Sequence, residues 1–190
     1  PWQRYQADLL RDDFSHDPAQ EHAVKLLQDL YERLLAPRRE RRGGVLGWLQ
    51  KLHGQPQEPE TGLYLWGGVG RGKTYLVDTF FDCLPLRRKM RVHFHRFMRR
   101  VHEDLKQLEG EKNPLEQVAD RLAGEAMVIC FDEFSVSDIA DAMILGNLFE
   151  GLFRRGVSLV ATSNVVPQEL YRDGLQRSRF LPTIDLIEKH

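Results

Sequence analysis

The run Gly67-Gly68-Val69-Gly70-Arg71-Gly72-Lys73-Thr74 has the spacing G-x-x-x-x-G-K-[ST], which folds as a loop between a strand and a helix. The flanks agree with that context. Leu63-Tyr64-Leu65-Trp66 is a short apolar and aromatic run, readable as a buried strand, and Tyr75-Leu76-Val77-Asp78-Thr79-Phe80-Phe81 continues as a helix. Glycines at 68, 70 and 72 let the backbone turn its N–H groups inward around an anion. The helix N-terminus adds partial positive charge at the same place. Lys73 is then expected to reach the β- and γ-phosphates of a nucleotide, and the Thr74 hydroxyl to meet Mg²⁺. The bland alternative is a glycine-rich turn followed by a chance Lys-Thr.

The rest of the chain reads as alternating strands and helices. Candidate strands are 63–66, 91–95, 126–131 and 157–162, and candidate helices are 73–83, 97–108, 115–123, 137–154 and 178–188. That alternation predicts βαβ units around a parallel sheet, an α/β fold of the P-loop type in three layers. Upstream, Asp17 suits a helix N-cap, Pro18 the first helical position and Gln20 the return arm of a capping box. Val24, Leu27, Leu30, Tyr31, Leu34 and Leu35 recur at helical spacing until Pro37. A charged punctuation at 38–44, a short amphipathic helix at 46–52 and a loop at 54–59 follow. Residues 1–60 therefore read as a helical segment and linker, and 61–190 as the nucleotide-binding core.

A second half of the site is readable. Ala126-Met127-Val128-Ile129-Cys130-Phe131 is an apolar strand ending in Asp132-Glu133, a Walker B pattern. A carboxylate at the C-terminal end of a parallel strand faces the ligand crevice. Asp132 is expected to hold Mg²⁺ directly or through water, and Glu133 to act as general base on the attacking water. Val157-Ser158-Leu159-Val160-Ala161-Thr162-Ser163-Asn164 is a further strand with a polar end. Asn164 either orients that water or is a turn residue before Pro167. Neither the guanine-reading N-K-x-D nor L-S-G-G-Q is present, which leaves an AAA+ type ATPase or a P-loop small-molecule kinase. Arg177 and Arg179 are either arginine fingers reaching a neighbouring subunit's γ-phosphate or ordinary surface arginines.

Composition narrows the setting. The net charge of −1 calls for neither nucleic acid nor an acidic membrane as a stable partner. Cys83 and Cys130 lie in apolar runs and read as core residues in a reducing compartment. No stretch approaches the ~20 apolar residues of a membrane span. The start lacks a signal-peptide core and an initiator Met, so a segment before Pro1 is expected. His93 and His95 alternate along the expected second strand, a spacing that could hold a metal, although no further ligands lie nearby. Phe97-Met98 is either a pore loop or a core aromatic at a helix start. The basic clusters 38–42, 87–91 and 96–100 read as phosphate or acidic-tail sites, or as solvated faces.

Taken together, 62–75, 93–98, 130–134, 160–164 and 174–182 resemble the ZapE family of AAA+ ATPases, bacterial division enzymes with mitochondrial lactation-elevated relatives. The likeness runs from about Tyr5 to His190. It implies a cytoplasmic, oligomeric ATP hydrolase, ring-forming with nucleotide and recruited to the division site. The implied partner is the FtsZ division ring or another division protein, with peripheral membrane contact left open. It implies ATP and Mg²⁺ as cofactors and Gly67 to Tyr75 as the nucleotide cradle. Within that cradle Lys73 and Thr74 are Walker A, and Asp132 with Glu133 is Walker B. Asn164 is sensor 1, and Arg177 or Arg179 is the finger. Gln20 and its neighbours resemble the segment lining the adenine pocket, or Gln20 merely caps its helix. Family chains continue through a fifth core strand and a helical lid, which are expected beyond His190. Two other functions stay open: an ATP-gated loader-type switch with slow turnover, and a small-molecule kinase.

Overall fold

The computed structural model describes residues 1–36 and 58–190. The expected punctuation at 38–44, the helix at 46–52 and most of the loop at 54–59 lie outside the described residues. The described elements are α1 (Trp2–Asp8), α2 (Pro18–Leu35), β1 (Leu63–Trp66), α3 (Lys73–Cys83), β2 (Lys89–His93), α4 (Phe94–Gln107), α5 (Pro114–Glu125), β3 (Val128–Asp132), α6 (Ile139–Arg154), β4 (Ser158–Ser163) and α7 (Arg177–Lys189).

The strands form one parallel sheet in the order β1-β4-β3-β2. Side chains alternate across it, so each strand feeds two cores. On one face Leu63, Leu65, Val128, Cys130 and Val160 pack against α2 and α3, with Leu27, Leu30, Val77 and Phe80 fully buried. On the other face Ile129, Phe131 and Ala161 meet α4, α5, α6 and α7. There Phe94, Phe97, Phe134 and Phe149 cluster around Phe131, with ring centroids 4.8–6.0 Å from it. The result is a helix–sheet–helix sandwich, as the alternating pattern predicts.

The topology fixes where a ligand can enter. The chain leaves β1 for α3 on one face, crosses to the far edge at β2, then returns through β3 and β4 by helices on the other face. The connections therefore part between the ends of β1 and β4, and open α/β sheets bind ligands at such a switch point. Gly67 N donates to Ser163 O at 3.2 Å, tying the start of the glycine loop to the end of β4.

The largest departure from expectation is at the junction after the second strand. β2 ends at His93, and α4 begins at Phe94 without an intervening loop. Phe94, Phe97, Met98 and Val101 repeat at helical spacing and are all at most 1% exposed, so burial of this stripe starts the helix early. His95 consequently sits on a helix and does not share a strand face with His93. Among the described residues no group of three or more His, Cys, Asp or Glu side chains could hold a metal ion. Phe97 and Met98 are core residues, which removes them as a pore loop. The short helix α1 was not expected; it is pinned by Tyr5, which is fully buried.

Candidate functional site

The glycine loop closes at the N-terminus of α3. Gly70 and Gly72 have φ of 82° and 74°, in the left-handed region where a Cβ is costly. Gly72 is the N-cap of α3, with no side-chain cap of its own. The first N–H groups of α3 therefore lie at the loop, where they favour an anion. The Lys73 ammonium folds back over the loop. It donates to Gly67 O at 2.5 Å, to Gly68 O at 2.8 Å and to Asn164 Oδ1 at 3.4 Å.

Two cavities flank this loop. One, of about 450 Å³, is lined by Gly70, Gly72, Lys73, Thr74, Glu133 and Asn164 among others. It gathers residues from β1–α3, the end of β3 and the end of β4, more than 90 positions apart in sequence. The second, of about 500 Å³, lies on the far side of the loop, with Asp17, Gln20, His22, Leu26, Trp66 and Lys73 in its walls. Trp66 is 59% exposed and Leu26 40% exposed, although both are large and apolar.

Gln20 does not close a capping box. Asp17 caps α2 alone, accepting from Ala19 N at 2.8 Å, while Gln20 Nε2 crosses to Arg71 O at 3.3 Å. The Gln20 Oε1 atom is buried without a partner. Proximity of α2 to the glycine loop draws the side chain away from its own helix end.

Glu133 stands just past β3 with φ of 54°, a conformation unusual for a residue with a Cβ. The buried Thr162 holds it there. Its Oγ1 accepts from Glu133 N at 3.1 Å and its carbonyl accepts from Phe134 N at 2.7 Å. The Glu133 side chain is exposed toward the cavity.

Asp132 ends β3 on the α3 face of the sheet. Its carboxylate is gripped from both sides of one guanidinium edge: Arg91 Nε donates to Oδ2 at 2.9 Å and Arg91 Nη2 to Oδ1 at 3.2 Å. The remaining Arg91 Nη1 pairs with Asp78, one turn beyond Thr74 on α3. Burial alone would lower the Arg91 pKa, but the hydrogen bonds to Asp132 and Asp78 outweigh it and raise it. Arg91 is thus a permanent cation between the end of β3 and α3.

Arg177 and Arg179 are not brought to this cavity. Arg177 Nη2 donates to Gln168 O at 2.6 Å, and Arg179 Nη1 donates to Gln176 Oε1 at 3.0 Å. Arg179 lines a separate groove between α6 and α7 with Glu150 and Asn147. Of the basic clusters, 38–42 lies outside the described residues; in the other two, Arg88 donates to Ala123 O, and Arg100 pairs with Glu125 and Asp104. Thr162, Arg91 and Trp66 are site residues that motif reading missed. Arg91 left one signal, a charge in mid-strand that needed an acid to accompany it into the fold.

Among the described residues no helix is long and apolar enough to cross a membrane. The family model of AFG1-like ATPases matches residues 1–190. The chain is 51% identical over 196 residues to cell division protein ZapE of Escherichia coli strain K12, which covers all of this chain and 52% of that protein. It is 47% identical over 152 residues to lactation elevated protein 1 homolog B of Danio rerio, covering 74% of this chain and 30% of the relative. The chain therefore spans about half the length of ZapE. Among solved structures, domain III of the replication initiation protein DnaA from Thermotoga maritima superposes with a TM-score of 0.59 at 18% identity, covering 92% of this chain and 61% of that one. DnaI gives a TM-score of 0.59 at 17% identity, covering 95% and 84%. These structural likenesses bear on the fold alone, a parallel sheet flanked by helices. With the family model matching from end to end and half of its residues shared with ZapE, the chain belongs to the AFG1-like ATPase family.

Proposed function

We propose that this chain carries the nucleotide site of a Mg²⁺-dependent ATPase that couples hydrolysis to remodelling a protein partner. The observation that carries the reading is the convergence of Lys73, Thr74, Glu133 and Asn164 on one 450 Å³ cavity at the switch point of the sheet. Backbone N–H groups of Gly70 to Thr74 cradle the phosphates. Lys73 exchanges its loop carbonyls for phosphate oxygens, which are stronger acceptors. The base enters the second cavity, where Trp66 and Leu26 offer apolar surface and Gln20 a buried acceptor.

A hydroxyl and a carboxylate are ligands suited to Mg²⁺, so Thr74 and Asp132 fit the metal, Thr74 at the cavity wall and Asp132 immediately behind Glu133. When bound, the metal would neutralise charge on the nucleotide's phosphates. Glu133, projected into the cavity by Thr162, takes the proton of the attacking water. Asn164 Oδ1, beside the Lys73 ammonium, orients that water. The arginine finger is supplied in trans: Arg177 or Arg179 of one subunit, both remote from their own cavity, serves the next subunit of a nucleotide-dependent ring. Gly67 to Tyr75 form the cradle, and the adjoining Tyr75 hydroxyl anchors it to the N-terminal segment.

Half-identity with a cell division protein supports a role in division, and FtsZ is the partner we propose from the family resemblance. The test is steady-state phosphate release by the full-length protein, with and without polymerised FtsZ, across protein concentrations. Turnover that rises with both supports a ring-forming ATPase acting on that partner. Turnover that stays near zero throughout favours an ATP-gated switch.

A further inference from the structure

Arg91 occupies the position a cation would take between two carboxylates. Its guanidinium meets Asp132 from β3 along one edge, at 2.9 and 3.2 Å, and Asp78 from α3 with its remaining nitrogen. The strand register explains the meeting. Arg91 pairs with Cys130 and His93 with Asp132, so Arg91 and Asp132 project on the same sheet face, diagonal neighbours under α3. Asp78 follows Thr74 by four residues and so lies on the same side of that helix. Side-chain exposures of 20% for Arg91 and 15% for Asp132 make the contact more than a solvated surface pair.

We propose that Arg91 is a positioning residue for Asp132, a resident cation that holds the Walker B carboxylate and keeps a divalent ion from settling there without nucleotide. Two carboxylates converging on one point between β3 and α3 would otherwise attract a hard cation by themselves. With the guanidinium between them, one of the two negative charges is offset and two acceptor positions of Asp132 are taken. The ion is then retained only when phosphate oxygens add their own charge. The clamp also ties the end of β3 to the helix that carries Lys73 and Thr74, so carboxylate and glycine loop keep one spacing. This inference rests on the nucleotide reading for its purpose, but its geometry and test do not require ATP.

The test is Mn²⁺ binding to the nucleotide-free full-length protein, read from the free-ion signal in electron paramagnetic resonance. Arg91→Gln is expected to bind Mn²⁺ about tenfold more tightly than wild type or better, because a unit positive charge next to both carboxylates is gone. Adding Asp132→Asn to that variant is expected to abolish the gain. Arg91→Lys, which keeps the charge but reaches one carboxylate, is expected to bind between the two, and it carries the test if Arg91→Gln fails to fold. Wild-type Mn²⁺ affinity in a folded Arg91→Gln, or in a folded Arg91→Lys where only that variant folds, overturns the proposal. So does a gain that survives Asp132→Asn. ATP titration of the wild type in parallel separates the two readings: lack of ATP binding counts against the nucleotide site and leaves the Mn²⁺ result readable.

Discussion

Lys73 Nζ lies 3.4 Å from Asn164 Oδ1, joining the glycine loop after β1 to the end of β4 across 91 positions of sequence. The contact puts the phosphate-facing cation and the polar strand end in one site, and it divides their expected roles. Lys73→Ala removes the charge aimed at the phosphates, so nucleotide affinity falls, by about tenfold or more. Asn164→Ala leaves that charge in place and is expected to slow turnover more than it weakens binding. Fluorescent-nucleotide titration beside phosphate release in the full-length protein separates the two. Equal affinity in wild type and Lys73→Ala contradicts the assignment.

Glu133 owes its place to a left-handed backbone whose N–H is held by the Thr162 hydroxyl, not to contacts of its own side chain. Glu133→Gln preserves that backbone and the shape of the cavity. The variant is expected to retain ATP while hydrolysis drops by about 10²–10⁴-fold. Undiminished phosphate release would remove Glu133 from the mechanism.

Gly72 is the position in the loop least able to accept a side chain. Its φ is 74°, and an added Cβ would stand 2.5 Å from Gln20 Nε2. Gly72→Ala is expected to cost about 1–2 kcal/mol in backbone strain and to push Gln20 off Arg71 O. Thermal melting should show a loss of several degrees, and nucleotide affinity should fall with it. An unchanged melting temperature would mean that the loop relaxes freely.

The Tyr75 hydroxyl donates to Asp8 Oδ2 at 2.5 Å, linking the P-loop helix to α1. Burial, and next the hydrogen bond to Asp8, push the Tyr75 pKa from 10.0 up to about 12. The folded state thus favours the neutral phenol. Its contribution to stability is complete below pH 10 and is lost as pH rises toward 12. Tyr75→Phe is expected to lower the melting temperature at neutral pH, with the difference from wild type shrinking above pH 10. A difference that stays constant across that window contradicts the linkage.

How far the fold could be read from sequence depended on what marks each boundary. β1 and α3 are marked by the glycine loop between them, and both match their expected limits of 63–66 and 73–83. β3 and β4 shift by one or two residues, because an apolar run says that a strand is buried but not where pairing stops. The β2–α4 junction left no turn residue: Phe94 passes from strand to helix because its ring enters the core, a tertiary fact. α1, seven residues without a side-chain cap, carried too little periodicity to register.

The candidate site divides similarly. Lys73, Thr74, Glu133 and Asn164 were legible because strand ends and glycine spacing place them. Gln20 was singled out only through the family resemblance, with helix capping as the alternative, and Arg91 was not singled out, since each acts through a partner far along the chain, Arg71 in one case and Asp132 in the other. Pattern within a segment fixes the face a residue points to, but not the neighbour it meets there.

The decisive comparison is steady-state phosphate release from Mg-ATP by the full-length wild type, beside Lys73→Ala and Glu133→Gln. Turnover is expected in the wild type, with near-complete loss in both variants and bound ATP retained in Glu133→Gln. Equal turnover in all three proteins would contradict the assignment of the cavity between α3, β3 and β4 as the hydrolytic site.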